Sequence, residues 1–547
     1  MTVPRMQTEG ATPVRLSDDQ PHQGNGLDSS GTVDGTLARE SDRATTEHRK
    51  FDEHERAASA TNDERAVDHR VPPLVHEIEN VSIEDSGDLA KVVLDWLGPD
   101  TVRSFVSDPG AFSLFLSRLL AMFDRQLRDQ VNEIIHHPDV QALESSWRGL
   151  RYLVEQVNRD ERRRIQVRVL NLSWDDLRRD MQLANEFDQS ELFRKVYEEE
   201  YGMPGGEPYG LLIGDYQIER TNDDLEVLEH IGGVAQAAFV PFIAGAAPSL
   251  IGLDRFDELY RMRSIGDLAP DAVTATWRGL RHHEHARFIG LALPRILLRR
   301  LYRDDGSRED GFRFWEDAGG VSDYLWGNAA WGFGAVVLRA FDRTNWLADI
   351  RGVQRGREVG GLVPALEPEA FQTDRAEPAV FKPLTEVILT DQQEKTLADL
   401  GFLPTVHLRE SGRVAFYNTH SLHQPKQYTD ESASASDRLA SMLHYTLCAS
   451  RFAHYLKVMM CDRIGRHEEP ELLQDELNRW LSKYVRQDDD ATPDMRARFP
   501  LREGRIRIWE TQPGRFASEI HLQPHYQLDS LAASVRFLTR EADGLPS

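Results

Sequence analysis

The sequence predicts an α/β protein in which parallel-rich sheets are flanked by helices. Three observations predict this class: apolar residues at helical spacing within residues 71–160, apolar strands alternating with helices over residues 161–380, and capped helices followed by paired strands over residues 381–547. We therefore expect a helical N-terminal region, a central α/β domain and a C-terminal α+β domain that ends in β-strands, with those boundaries.

Residues 1–70 precede these regions and have a different composition. They are rich in Asp, Glu, Arg, Ser, Thr and Gly and contain few large apolar side chains. Such a segment cannot bury enough apolar surface to offset the entropy lost on ordering. We expect a disordered acidic and polar tail.

An amphipathic helix is predicted over residues 138–157. Its apolar stripe, at steps of three and four, consists of Val140, Leu143, Trp147, Leu150, Val154 and Val157. Pro138 and Asp139 mark its start, because the first turn of a helix tolerates a missing amide and favours a carboxylate.

The central region changes to strand periodicity. In RIQVRVLNL, Ile165, Val167 and Val169 alternate with polar residues, which predicts a strand, and Ser173 is placed to cap the next helix. The apolar runs YGLLIGDY, VPFIAGAA and ARFIGLALPRIL follow, and DDLEVLEHIGGVAQAAF reads as a helix between the first two. This alternation predicts a mainly parallel sheet.

Residues 231–253 carry no charge and are long enough to cross a bilayer. They contain Gln236, Pro241, Pro248 and several glycines, which favours the end of a helix followed by a buried strand. We expect no membrane insertion.

The C-terminal domain is predicted to begin with a helix after Thr390 that Gly401 closes. A hairpin in VHLRESGRVAFYN, helices over residues 436–465 and 470–484, and two strands around Pro513 and Gly514 are expected to follow. The segment SLAASVRFLT supplies a last strand.

Composition limits the function. The formal net charge is -25, which disfavours nucleic acid as a partner. Cys448 and Cys461 are too few for a disulfide framework and fit a reducing compartment. The first residues lack the apolar core of a secretory signal, so we expect a cytoplasmic protein.

No motif predicts catalytic, cofactor-binding or metal-ligating residues. MPGGEPYG lacks the Lys-Ser/Thr of a phosphate-binding loop and precedes a strand; the histidines of LRHHEHAR lack the spacing of ligands on one helix face; DDDATPD reads as a charged turn. An enzyme remains an alternative, with a crevice at the strand ends near Asp215 and Ala247.

Seven segments carry a family resemblance. They are LESSWRGLRYLV, GGEPYGLLIGDYQI, VPFIAGAAPSLIGLDRF, FIGLALPRILLR, WGNAAWGFGAVVLRAF, SRFAHYLKVMMCDRIG and PLREGRIRIWE. These segments occur in this order within residues 89–539. Through them the chain resembles the large subunit of the type VI secretion contractile sheath, the TssC or VipB family. The alternative is that the chain is a sheath-like protein of another contractile injection machine.

The resemblance implies a contractile-sheath fold and a cytoplasmic structural protein without enzymatic activity or cofactor. The implied partners are a small sheath subunit of the TssB or VipA type, the Hcp inner tube, the baseplate and further copies of the chain. An AAA+ recycling unfoldase is also implied, but LVHEIEN after Pro73, the nearest counterpart of its recognition helix, departs from the family pattern. The helix over residues 138–157 is expected to pack its stripe inside the subunit and present its polar face to neighbours.

The resemblance also assigns motif residues. They are Glu144, Trp147, Arg148, Gly206, Glu207, Pro208, Tyr209, Gly214 and Asp215. The terminal strand is a candidate for pairing between subunits, because main-chain hydrogen bonds hold while flanking loops bend. Its candidate residues are Ser534, Val535, Arg536 and Phe537. Pairing of this strand within its own domain is the alternative.

Overall fold

The structure is a computed structural model. It describes residues 95–99, 109–157, 165–184, 186–203, 206–262, 275–306, 312–354, 356–366, 368–371, 380–409, 411–463, 470–488, 491–512, 515–525 and 535–539. The predicted tail, the LVHEIEN segment and Ser534 lie outside these residues. The chain divides into two compact units, Met1–Arg118 and Leu119–Ser547, and the elements that follow belong to the second unit apart from the start of the first helix.

The regular elements follow one another in the expected order. The helices are α1 (Pro109–Ile135), α2 (Pro138–Glu155), α3 (Trp174–Leu183), α4 (Asn222–Ala237), α5 (Ala275–His282), α6 (Ala329–Thr344), α7 (Asp391–Asp399), α8 (Glu431–Ala440), α9 (Leu443–Arg463), α10 (Pro470–Ser482) and α11 (Pro493–Arg498). The strands are β1 (Leu212–Ile218), β2 (Phe242–Ala246), β3 (Ile289–Leu293), β4 (Ile296–Leu297), β5 (Trp326–Gly327), β6 (Ala370–Phe371), β7 (Val380–Phe381), β8 (Phe402–Pro404), β9 (Val406–Leu408), β10 (Arg413–Ala415), β11 (Leu501–Gln512), β12 (Arg515–Pro524) and β13 (Val535–Thr539).

A four-stranded sheet in the order β1-β2-β3-β8 organises the central region. Each neighbouring pair is parallel, which confirms the predicted parallel sheet. The residues of β2 are buried on both faces, because helices cover the sheet on each side.

The two faces of this sheet belong to two apolar cores. Phe242, Ala244 and Ala246 of β2 lie in one core with side chains from α3, α4, α5 and α7, whereas Ile243 lies in the other with side chains from α6 and α9. The alternation follows from the two-residue period of a strand. A third core joins α9 and α10 to the strands β11 and β12.

Several helix boundaries are set by the local signals that predicted them. The Ser173 hydroxyl accepts a hydrogen bond from the amide of Asp176 (3.1 Å) at the start of α3. Thr390 and Gln393 form a capping box at the start of α7, and Gly401 follows its end with a φ of +91°. At α2, Pro138 occupies the first turn and Asp139 adds an acidic group. These predictions are confirmed.

Two predicted elements differ. Residues 165–172, the described part of RIQVRVLNL, form no strand, since a strand requires a partner and none of the described residues pairs with them. The helix predicted over residues 436–465 is divided into α8 and α9. Its backbone turns aside at the break, where the amide of Ser421 donates to the carbonyl of Ser441 (2.8 Å) and that of Leu443 to Thr419 (2.7 Å).

The C-terminal strands form an antiparallel sheet in the order β11-β12-β13. The predicted hairpin of β11 and β12 is therefore confirmed. Val535 of β13 lies opposite Leu522, and Thr539 lies opposite Ser518. One edge of β13 thus pairs within its own chain, and the other has no strand beside it in the part of this sheet that is described. Pairing between subunits stays a prediction for that open edge.

The uncharged segment over residues 231–253 is core. It comprises the end of α4, the strand β2 and the short turn Pro248–Ile251. Across the described helices, none combines the length and the apolar character needed to span a bilayer.

Candidate functional site

The motif residue Asp215 of β1 attaches α2 to the parallel sheet. Ser146 donates a hydrogen bond to Asp215 Oδ2 (2.5 Å), and Trp331 of α6 donates from its indole nitrogen to Asp215 Oδ1 (3.1 Å). A Cβ atom at Gly149 would lie 2.3 Å from the Trp331 Nε1 atom, so glycine is needed for this close approach. Asp215 therefore joins α2, β1 and α6.

A charged network lies on the other side of α2. Glu144 accepts from Arg148 Nε (2.6 Å) on the same helix and from Arg299 Nε (2.8 Å). Arg299 also donates to Glu316 (2.6 Å), and the side chains of this second pair are only 5% and 0% exposed. The Tyr302 ring lies 4.3 Å from the Arg299 guanidinium carbon. These contacts fix α2 to the segment after β4.

The network favours the ionised form of Glu144. Burial opposes ionisation of Glu144, but the hydrogen bonds and charges of Arg299 and Arg148 outweigh it and hold the pKa of Glu144 below its ordinary value. Every charge of this group faces an opposite charge within the same chain. The arrangement suits a structural joint, in which charges are balanced, better than a site that must hold a reactive group.

The motif residues before β1 form a second polar joint. A Cβ atom at Gly206 would lie 2.4 Å from the carbonyl oxygen of Glu200, which explains the glycine. The amide of Glu207 donates to Glu200 Oε2 (2.7 Å), and Arg168 pairs with both glutamates. The Tyr209 ring lies 5.5 Å from the Arg168 guanidinium carbon. The GGEPY motif thus fixes the turn into β1.

The predicted crevice is not formed by the residues that suggested it. Asp215 lies within β1 and uses both oxygens in hydrogen bonds, and Ala247 is buried. A cavity of about 430 Å³ lies beside α2 instead, lined by Arg148, Tyr152 and Arg299 among others. Gly214 is close-packed, because a Cβ atom there would lie 2.5 Å from the Phe242 ring.

Half of the apolar stripe of α2 does not pack inside the subunit as expected, whereas Val140, Leu150 and Val157 are partly buried. Leu143, Trp147 and Val154 are 62%, 66% and 45% exposed. The buried side of the helix is formed by Gly149 and Leu153, which face α6. Helical spacing predicted the apolar face correctly, but it could not say that another helix face contacts the core.

The preceding helix α1 also exposes large apolar side chains. Its residues Leu120, Leu127 and Ile134 recur every seven positions and are 62%, 47% and 59% exposed. We call these three residues, together with Leu143, Trp147 and Val154, the apolar helix face. Large exposed apolar surfaces mark interaction sites on soluble proteins.

The cysteine, acidic turn and histidines that the sequence analysis considered lie in different environments. Cys448 is buried, and burial raises the pKa of its thiol to about 12, so it is an inert core residue. Asp494 of the acidic turn pairs with Arg343 and Arg357. His282 and His283 are exposed, whereas His285 is partly buried.

Sequence reasoning missed Arg299, Glu316 and Trp331 as partners of the motif residues. Arg299 and Trp331 belong to the segments FIGLALPRILLR and WGNAAWGFGAVVLRAF, which carry the resemblance. That shared membership was the available signal. Glu316 lies outside any quoted segment, and nothing in the sequence marked it.

Comparison with known families decides what these joints belong to. The VipB family model, described as an EvpB-type tail sheath N-terminal domain, matches residues 117–423. This match covers more than half of the chain. The chain belongs to the VipB/EvpB tail sheath family. A second model, the tail sheath gpW/gp25-like domain, matches residues 432–540. The family is one of structural sheath proteins and not of enzymes.

A curated relative supports the same family. The type VI secretion system sheath protein TssC1 of Pseudomonas aeruginosa is 38% identical over 432 residues, which are 78% of this chain and 85% of the relative. Among solved structures, a chain of the anti-feeding prophage baseplate aligns with 9% identity and a TM-score of 0.29, over 59% of this chain and 64% of that chain. A score this low does not establish a common fold, so membership of the sheath family rests on sequence.

Proposed function

We propose that the chain is the large subunit of a type VI secretion contractile sheath. It pairs with a small sheath subunit, stacks in helical rings around an Hcp inner tube and contracts to drive tube and spike out of the cell. The observation that carries this proposal is the 38% identity with TssC1 over 78% of the chain. Assembly above a baseplate in the cytoplasm belongs to the same proposal, whereas the departure of LVHEIEN from the family pattern leaves recycling by an AAA+ unfoldase outside it.

The apolar helix face supports a partner subunit. Six large apolar side chains on two successive helices face solvent in the isolated chain. Burying such side chains contributes about 1.5–3 kcal/mol each, which favours association with a second apolar surface. We assign this face to the small subunit.

The unpaired segment before α3 supports assembly in a second way. RIQVRVLNL has the alternation of a strand, yet among the described residues it has no strand partner, and Val169 and Leu170 are 68% and 52% exposed. An open, apolar edge of this kind invites strand addition from another chain. In the assembled sheath we expect it to be paired.

The polar joints give no support to the enzyme alternative. The carboxylates of Glu144, Asp215 and Glu316 are each bound by donors of the same chain. The sequence match also favours a type VI sheath over the sheath of another injection machine, because the relative that it identifies is a type VI protein.

The assignment of the apolar helix face to the small subunit can be tested by introducing charged side chains into it. A variant with Leu143→Asp and Trp147→Asp is expected to lose co-purification with the co-expressed small subunit by at least about tenfold, since an aspartate at each position would be desolvated in the interface. Leu183→Asp is the matched control, because Leu183 is 86% exposed on α3. Circular dichroism checks that each variant is folded. Unchanged co-purification of the folded double variant would contradict the assignment of this face.

A further inference from the structure

Three potential metal ligands converge between α4 and the 3₁₀ turn Glu284–Phe288. They are Glu229 of α4, His283 just before the turn and His285 within it, and their ligand atoms all lie within 4.8 Å of one another. Glu229 Oε1 lies 3.6 Å from His283 Nε2. The two imidazole rings are stacked, with centroids 5.0 Å apart and an interplanar angle of 10°.

The Nε2 atom of His285 is buried and has no hydrogen-bond partner among the described residues. A buried nitrogen without a partner is unfavourable, because it has lost water and gained nothing in return. An ion bound between the three side chains would satisfy this nitrogen. The unpartnered atom therefore points to a ligand independently of the cluster itself.

The packing around His285 keeps its ring in place. A Cβ atom at Gly232 of α4 would lie 2.6 Å from His285 Cδ2, so the glycine leaves room for the imidazole against the helix. His423 contacts the main chain of the neighbouring ligand, with its Nδ1 atom 3.1 Å from the backbone carbonyl oxygen of His283. The His285 ring is thus packed against α4, whereas the side chains of His283 and Glu229 are 52% and 41% exposed and can be reached by an ion from solvent.

The types of the three donors suit a transition metal. Two imidazoles and one carboxylate are a common zinc ligand set, with a fourth position left for water. Imidazole donors favour zinc and similar transition metals over magnesium or calcium.

We propose that Glu229, His283 and His285 bind one divalent transition-metal ion, with zinc as the ion that fits best. The ion would tie α4 to the turn that leads into β3, and hence one helix layer to the central sheet. This site is separate from the polar joints of the sheath motif, so it stands or falls independently of the proposed sheath function. The sequence did not predict it, because its ligands come from two segments and do not share a helix face.

The test is zinc binding to the untagged full chain after removal of metals with a chelator. Titration with Zn²⁺ against a chromophoric competitor is expected to give one zinc per chain. His283→Ala, His285→Gln and Glu229→Gln should each weaken this binding by at least about tenfold, because each removes a ligand. His282→Ala is the matched control, since His282 is an exposed neighbour outside the cluster, and it should bind like the unaltered chain.

Two further measurements make the outcome decisive. Co²⁺ in place of zinc should give the visible absorption of a four-coordinate site, which His283→Ala should abolish. Zinc should also raise the apparent melting temperature of the unaltered chain but not of His283→Ala. The proposal is overturned if the unaltered chain binds no zinc, or if folded His283→Ala, His285→Gln and Glu229→Gln all retain its affinity.

Discussion

Glu316 is the most buried member of the charged network beside α2. Its carboxylate accepts hydrogen bonds from Arg299 and from the amide of Tyr302 (2.7 Å), and His136 Nε2 lies 3.1 Å from its other oxygen. Three segments that are distant in sequence meet at this one side chain. The Glu316 carboxylate and its donors satisfy one another, and removing either side would leave the other buried without a partner.

Glu316→Gln is therefore expected to lower the free energy of unfolding by about 3 kcal/mol, because the buried Arg299 loses one of its two anionic partners. The measurement is denaturant unfolding of the full chain. Glu155→Gln is the matched control: Glu155 pairs with Arg151 at the surface of α2, where both side chains are more than half exposed, and no measurable change is expected. Equal stability of the two variants would contradict the structural role of the network.

Local signals at single residues were the most predictable part of the chain. Ser173 and Thr390 cap their helices as expected, because a cap requires only a hydroxyl and an amide three residues later. The convergence of Glu144 with Arg299 and Glu316, or of Glu229 with His283 and His285, depends on tertiary packing. No spacing in the sequence encodes such meetings of distant segments.

At the scale of elements, the hydrophobic period predicted whether a segment is a helix or a strand better than it predicted which of its faces are buried. The strands β1, β2 and β3 and the helix α4 lie where the apolar runs placed them. The described residues of RIQVRVLNL form no strand, and three of the six stripe residues of α2 are exposed. Both differences have one physical cause: a period shows that a face is apolar, whereas the partner that covers it can belong to another chain.

The strand β13 carries the prediction on contacts between subunits. Deletion of residues 531–539, or Val535→Pro, is expected to abolish tube formation while leaving the complex with the small subunit largely intact, because proline removes a main-chain donor. Electron microscopy and size-exclusion chromatography measure the two outcomes. Deletion of residues 540–547, beyond the end of β13, is the matched control.

Two results would contradict this role of β13. Normal sheaths from the 531–539 deletion would show that subunits do not pair through the strand. Loss of the heterodimer itself would show that the pairing with β12, seen along one edge of β13, is its whole function.

At the scale of the whole molecule, the chain has the features of a building block. Its motif residues join α2, β1 and α6 within the subunit, and its apolar helix face and the segment before α3 remain open to other chains. A family resemblance in the sequence predicted the sheath identity, and the family models confirm it over residues 117–423 and 432–540. Composition and periodicity alone predicted only an α/β protein.

Electron microscopy of the full chain co-expressed with the small sheath subunit tests the sheath function most directly. We expect hollow helical tubes with cogwheel-shaped ends, in which Trp147 and its neighbours on the apolar helix face are covered by the small subunit. A soluble monomer that forms no tubes with the small subunit, and whose melting temperature rises with a small-molecule ligand, would contradict the sheath function and favour an enzyme.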